Sequence, residues 1–133
     1  NINLISKMKL IKLRIFKDMN RILPILRIIN YPFRKIKKTK WEGAKTCNLG
    51  MWKSDFININ GYDESYIGWG REDSDLVVRL INSNIFRKEA IFSTGVLHLK
   101  HEFNSRENFS KNDKLLRETI NKKKTYIKNG YTK

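Results

Sequence analysis

The sequence predicts an α/β domain, and three observations predict it. One is an apolar face at helical spacing in the stretch Glu72 to Asn82, through Leu76, Val77, Leu80 and Ile81. Another is a set of short strand-like segments, Thr46–Trp52, Ile85–Glu89 and Ser93–Lys100, bounded by turn residues. The third is a pair of lysine-rich helical patterns, one at each end of the chain. With 133 residues there is room for one small domain, and 40% hydrophobic residues with 11% aromatics are enough to give it a core.

Taken in order, Leu4, Met8, Ile11, Ile15, Met19, Ile22 and Leu26 recur every three or four residues, opposite Lys7, Lys9, Arg14, Lys17 and Arg21. This pattern predicts a cationic amphipathic helix that ends or kinks near Pro24. Two partners suit it: an anionic lipid surface, or a neighbouring part of the same protein. An extended basic linker follows through Tyr31-Pro32 and Arg34–Lys38. Ser54-Asp55-Phe56 caps a brief helix that stops at the turn signal Asn60-Gly61. Asp63 to Gly70 is a loop rich in glycine and aromatic residues, and Asp113 to Ile127 predicts a basic helix.

Charge divides the chain in the same way. Residues 1–45 carry 13 Lys and Arg against 2 acids, residues 46–110 carry 7 against 9, and residues 111–133 carry 8 against 2. A slightly acidic centre thus lies between two basic arms of a chain with net charge +15. Such arms suit a polyanion or are solvated flanks, and no zinc-finger, helix-turn-helix or aromatic-basic motif makes them a specific nucleic-acid reader. Cys47 is the single cysteine, which excludes an intrachain disulfide and any CxxC metal motif. The chain starts at Asn1 rather than Met, and its opening residues show no secretory signal or spanning segment; a fragment is expected.

The chemistry-bearing residues concentrate in Gly68-Trp69-Gly70-Arg71-Glu72-Asp73-Ser74-Asp75. At 100° per residue Asp73 projects along the apolar face of its helix, whereas Asp75 and Arg79 fall on the opposite, solvent side as an i, i+4 pair. A carboxylate on a buried face needs a partner or a task, although acids in a first helical turn also serve the helix dipole. Trp69 between two glycines is either a mobile stacking surface for a sugar ring or a core anchor. Asp73-Ser74-Asp75 spells D-x-D, but its two acids point apart on a helix, so it is not read as a metal clamp. In a strand through Ser93–Lys100, His101 continues the face of Leu97 and Leu99, and His98 lies on the other.

Together Cys47-Asn48-Leu49-Gly50-Met51, Asn60-Gly61-Tyr62-Asp63-Glu64, Gly68–Leu76, Arg79-Leu80 and His98-Leu99-Lys100-His101 resemble a known module. It is the galactosyltransferase-type C-terminal domain of bacterial family 2 glycosyltransferases and animal β-1,4-galactosyltransferases, matched over residues 44–110. The resemblance implies the C-terminal portion of a GT-A, Rossmann-like fold that transfers a sugar from a nucleotide-sugar donor with inversion, for bacterial polysaccharide or lipopolysaccharide synthesis.

By position, the resemblance implies that Asp73 is the catalytic base and that Glu72, Trp69, Asn48 and Asp63 serve the acceptor. Gly68, Trp69 and Gly70 form the loop over the donor, and His101, with His98 as the alternative, binds a divalent Mn²⁺ or Mg²⁺. Arg71 stands where the animal enzymes have glycine and fits the bacterial pattern. Nothing before Lys45 looks like the nucleotide-binding half, so the isolated chain is expected to lack most of the donor site. The implied organisation is a basic helix and linker (1–43), the catalytic and acceptor domain (44–110) and a basic helix or tail (111–133). Donor, glycan or lipid-linked acceptor and anionic membrane are the expected partners, at the cytoplasmic face of the cell membrane. A truncated glycan-binding module without catalysis is the alternative.

Overall fold

The computed structural model describes residues 6–17, 36–90, 96 and 105–132. The described residues fall into two compact units, one holding 6–17, 36, 88–90 and 96, the other 37–87 and 105–132. The mixed architecture is mostly helical, with four helices, α1 (Lys7–Ile15), α2 (Lys53–Asn58), α3 (Glu72–Asn82) and α4 (Phe109–Asn121), among these residues. Two strands of two residues each, β1 (Lys37–Lys38) and β2 (Arg87–Lys88), form a two-stranded sheet.

In the first unit, α1 is capped by the Ser6 side chain, which accepts the Lys9 N–H at 3.2 Å. Phe16 closes the helix and Lys17 follows in the left-handed region. The expected helix is therefore shorter at this point than its periodicity suggested, and Pro24 lies outside the described residues. Met8, Ile11 and Ile15 form an exposed apolar stripe on α1. No helix among the described residues is long and apolar enough to cross a membrane.

The second unit is built on α3. Its core gathers Ile59, Leu76 and Leu80, with Leu49, Met51, Phe56 and Ile85 packed around them, and α4 lies against α3. Helices α2, α3 and α4 end alike. A residue in the left-handed region, Asn60, Asn84 or Lys123, follows the cap. The next residue then donates its N–H back to the helix: Gly61 to Phe56 O at 2.8 Å, Ile85 to Leu80 O at 2.9 Å, Lys124 to Thr119 O at 3.1 Å. This is the Schellman closure, and asparagine suits it because its short polar side chain tolerates positive φ.

Three expectations are corrected here. Thr46–Trp52 is not a buried strand: Thr46–Asn48 makes a 3₁₀ turn, Leu49 and Met51 reach the core, and Trp52 is exposed. Helix α2 begins after Trp52 without a side-chain cap, not at Ser54. Helix α4 runs Phe109–Asn121 rather than Asp113 to Ile127, because the left-handed Lys123 ends it early. The strand expected over Ser93–Lys100 falls on residues outside the described ones, except for Val96.

A fourth correction concerns Asp75 and Arg79. They do pair, at 2.7 Å between Asp75 Oδ2 and Arg79 Nε, but both side chains are 0% exposed. The side of α3 assigned to solvent is covered. Thr119 on α4 donates its hydroxyl to Asp75 Oδ1 at 2.7 Å, and Arg79 Nη1 donates to Ile59 O at 2.8 Å. A buried pair with these extra bonds ties α3 to α4 and to the end of α2. Burial and the Asp75 carboxylate also push the Tyr66 phenol well above its ordinary range.

Candidate functional site

The first turn of α3 carries Glu72, Asp73 and Asp75, three acids where the helix dipole favours negative charge. Arg71 enters the helix from the left-handed region, with φ 80°, and supplies no side-chain cap. Each acid then takes a different environment. Asp75 is consumed by the buried pair. Asp73 is half-buried and accepts two bonds from Thr46, one from the backbone N–H at 3.1 Å and a short one from the hydroxyl. Glu72 is half-buried too, and its Oε2 is buried with no hydrogen-bond partner among the described residues.

Tyr62 completes this group. Its phenol is raised above its ordinary value, first by burial and then by the Asp73 and Glu72 carboxylates, against a lowering from the Thr46 hydroxyl. The four residues thus share one locality: a carboxylate held at a fixed angle, a second with an open acceptor atom, and a phenol that stays protonated beside them. Such a set can take a proton from a hydroxyl at one carboxylate while the other receives a neighbouring hydroxyl.

Beside it, the loop 67–70 is fastened to the start of α4. Asn112, fully buried, donates to Gly70 O at 3.0 Å and to Ile67 O at 3.2 Å. Trp69 stacks on Phe109 with centroids 6.0 Å apart at 24°, and the Arg106 guanidinium lies 4.6 Å from the Trp69 ring. Arg71 sits 4.9 Å over the Phe109 ring and pairs with Asp113 at 2.7 Å. Gly70 has φ 110°, and a Cβ there would meet Phe109 Cδ2 at 2.9 Å, so only glycine allows this approach. Trp69 is therefore neither a core anchor nor a free blade: it is docked, yet 41% exposed.

The other expected site residues divide. Asp63 forms an Asx turn, its Oδ1 accepting the Ser65 N–H at 2.9 Å. Asn48 ends the 3₁₀ turn that Thr46 begins, and its side chain is exposed. Gly68 has φ 75° and turns the loop. His98 and His101 lie outside the described residues. Among the described residues no group of three or more His, Cys, Asp or Glu is arranged to hold a metal ion.

Sequence reasoning missed Thr46 and Asn112, and it took Asn60 and Tyr62 only as members of the segment Asn60–Glu64, which the resemblance places on the acceptor side, without roles of their own. Asn60 is the most connected of them. Its Nδ2 donates to Ile127 O at 2.9 Å and Thr132 O at 3.0 Å. Its Oδ1 accepts from Thr132 N at 2.7 Å and Thr132 Oγ1 at 2.8 Å. Its own carbonyl accepts the Tyr131 N–H at 2.8 Å. Asn-Gly signalled a turn; that the same side chain would clasp a segment some 70 residues on had no local signature.

The chain matches the family described as the N-terminal domain of galactosyltransferase over residues 30–102. It is 40% identical over 57 residues to human chondroitin sulfate N-acetylgalactosaminyltransferase 1, covering 43% of this chain and 10% of that protein. It is 32% identical over 65 residues to validoxylamine A glucosyltransferase of Streptomyces hygroscopicus subsp. limoneus, covering 49% and 14%. It is 40% identical over 58 residues to human chondroitin sulfate synthase 3, covering 42% and 6%. The chain spans about a tenth of the length of the curated relatives it matches. No solved structure matches it. With more than half its residues matched by the family, the chain belongs to this galactosyltransferase family and carries a glycosyltransferase domain.

Proposed function

We propose that this chain is the acceptor-side part of a GT-A glycosyltransferase that uses a nucleotide-sugar donor and inverts the anomeric centre, with Asp73 as the base. The observation that carries the reading is the pairing of Asp73, held by two donors from Thr46, with Glu72, whose Oε2 has no partner among the described residues. Asp73 takes the proton from an acceptor hydroxyl. That oxygen forms a bond to the anomeric carbon as the bond to the donor's diphosphate breaks, and the electron pair leaves with the diphosphate. Glu72 accepts a hydrogen bond from a neighbouring hydroxyl of the acceptor and fixes its orientation. Trp69, docked against Phe109 and Arg106 yet 41% exposed, covers the donor sugar. Asn48 and Asp63 shape the acceptor wall through the two turns they close.

A divalent ion is part of the proposal, with His101 as its ligand and His98 as the alternative. When bound it neutralises the leaving diphosphate. The other steps run through the side chains named above. Exposed Met8, Ile11 and Ile15 on the lysine-bearing α1 support a peripheral position on an anionic membrane at the cytoplasmic face, where lipid-linked acceptors lie.

The test is turnover of a sugar-nucleotide panel with Mn²⁺ or Mg²⁺, using this chain together with the residues that natively precede Asn1. Asp73→Asn should lower kcat by at least roughly a hundredfold with unchanged folding, the scale of a lost general base. Full activity in Asp73→Asn would remove the assignment of the base. A folded wild type inert toward every donor would leave a glycan-binding module in place of an enzyme.

A further inference from the structure

The Asn60 clasp fixes the segment 127–132 with five hydrogen bonds. Gly130 seals it: a Cβ there would stand 2.0 Å from Asn60 O. Glu64 N–H adds a further tie to Asn129 O at 2.9 Å. What this anchoring holds in place is Tyr131, whose side chain belongs largely to the surface, since the residue is 62% exposed. A rigid backbone under an exposed aromatic ring contributes little to a core. It does remove the entropy cost of ordering that ring when a ligand arrives.

Tyr131 is not isolated. Its ring meets Phe56 edge to face, with centroids 6.2 Å apart, and Phe56 meets Tyr62 in the same manner at 6.1 Å. Gly61 lies beneath, where a Cβ would touch both Phe56 at 2.9 Å and Tyr131 Cβ at 3.1 Å. Tyr62, 36% exposed, has its hydroxyl in the field of Asp73 and Glu72. An aromatic strip therefore runs outward from the two carboxylates to the clasped segment.

We propose that this Tyr62–Phe56–Tyr131 strip is an outer acceptor subsite, on which a pyranose ring of a glycan acceptor stacks. The apolar C–H face of a pyranose suits an aromatic ring, while its hydroxyls stay in water. One sugar meets Glu72 and Asp73 beside Tyr62, and a unit further along the glycan rests on Tyr131. The enzyme thereby distinguishes a growing chain from a single sugar. The subsite rests on the acceptor-side reading of Asp73 and Glu72 given above.

The experiment measures KM for acceptors of one, two, three and four sugar units, in the same extended chain used to find turnover. Tyr131→Ala should raise KM for the tri- and tetrasaccharide roughly tenfold, as removal of an aromatic anchor commonly does, and leave the monosaccharide unchanged. Tyr131→Phe, which keeps the ring, should behave as wild type at every length. Equal KM values in wild type and Tyr131→Ala at all lengths would overturn the subsite, as would an equal rise for the monosaccharide. In either case Asp73-dependent turnover would leave the transferase reading standing. A wild type without turnover on any acceptor would remove both.

Discussion

Thr46 donates both its backbone N–H and its hydroxyl to the carboxylate of Asp73, 27 residues away. The 3₁₀ turn at Thr46–Asn48 is thereby bolted to the first turn of α3, and the orientation of Asp73 depends on a residue outside its own helix. Thr46→Val keeps the N–H bond and loses the hydroxyl. It is expected to lower kcat roughly 10- to 150-fold, the scale of one hydrogen bond to a charged group, with KM little changed. Thr46→Ser restores the rate. Steady-state kinetics on the three proteins, at matched thermal stability, checks this.

Asn60 serves α2 by its left-handed backbone and the C-terminal segment by its side chain. Asn60→Gly separates the two, because glycine keeps the positive φ and loses the four side-chain bonds of the clasp. The variant should be less stable by about 2–4 kcal/mol, since the buried Ile127 carbonyl and the part-buried Thr132 carbonyl lose their donor. Denaturant unfolding measures the loss; a loss below about 0.5 kcal/mol, within what surface changes produce, would mean the segment holds itself.

Arg79→Met leaves Asp75 charged in a site without exposure. An uncompensated buried charge costs about 3–5 kcal/mol. The double variant Asp75→Leu with Arg79→Met removes both charges and is expected to be more stable than Arg79→Met alone. A double-mutant cycle on unfolding free energies reads the coupling directly; additive effects would show that the pair is not coupled.

On α4, Glu118 receives Lys122 at 2.9 Å and Lys124 at 3.0 Å, which hold its carboxyl down from 4.5 to about 2. Asp113 is lowered likewise by Arg117 and then Arg71. The lowered folded-state value means that Glu118 stabilises α4 fully above about pH 4.5 and stops doing so as pH falls through about 2, and Asp113 acts in the same direction. Helical circular dichroism should therefore decline across that window, and more salt should shrink the effect because the pairs lie at the surface. Glu118→Gln should flatten the Glu118 part of the decline.

Much of this was legible in local pattern. The apolar spacing after Asp73 set α3 at Glu72–Asn82, and Asn-Gly marked the end of α2. Arg79 and Asp75 were paired by spacing alone. Their burial was not legible, because a helical wheel with one apolar stripe assumes one covered side, and α4 covers the other through Thr119, 44 residues away from Asp75. For the same reason Thr46 and Asn112 escaped notice. Each is polar, each sits in an unremarkable local setting, and each acquires its role only through a contact across the fold. Motif resemblance supplied Asp73 and Glu72 because it carries such long-range information in compressed form, whereas periodicity carries none.

Asn60 grips the C-terminal segment at two carbonyls five residues apart, Ile127 and Thr132. That makes the stretch after α4 a ruler. A residue inserted or deleted between Lys124 and Tyr131 would bring a different side chain to the position over Phe56, and would move Gly130 off the spot beside Asn60 O that tolerates no Cβ. In this part of the chain length is constrained as tightly as composition, and drift in the family should run to substitution at the exposed positions and not to indels.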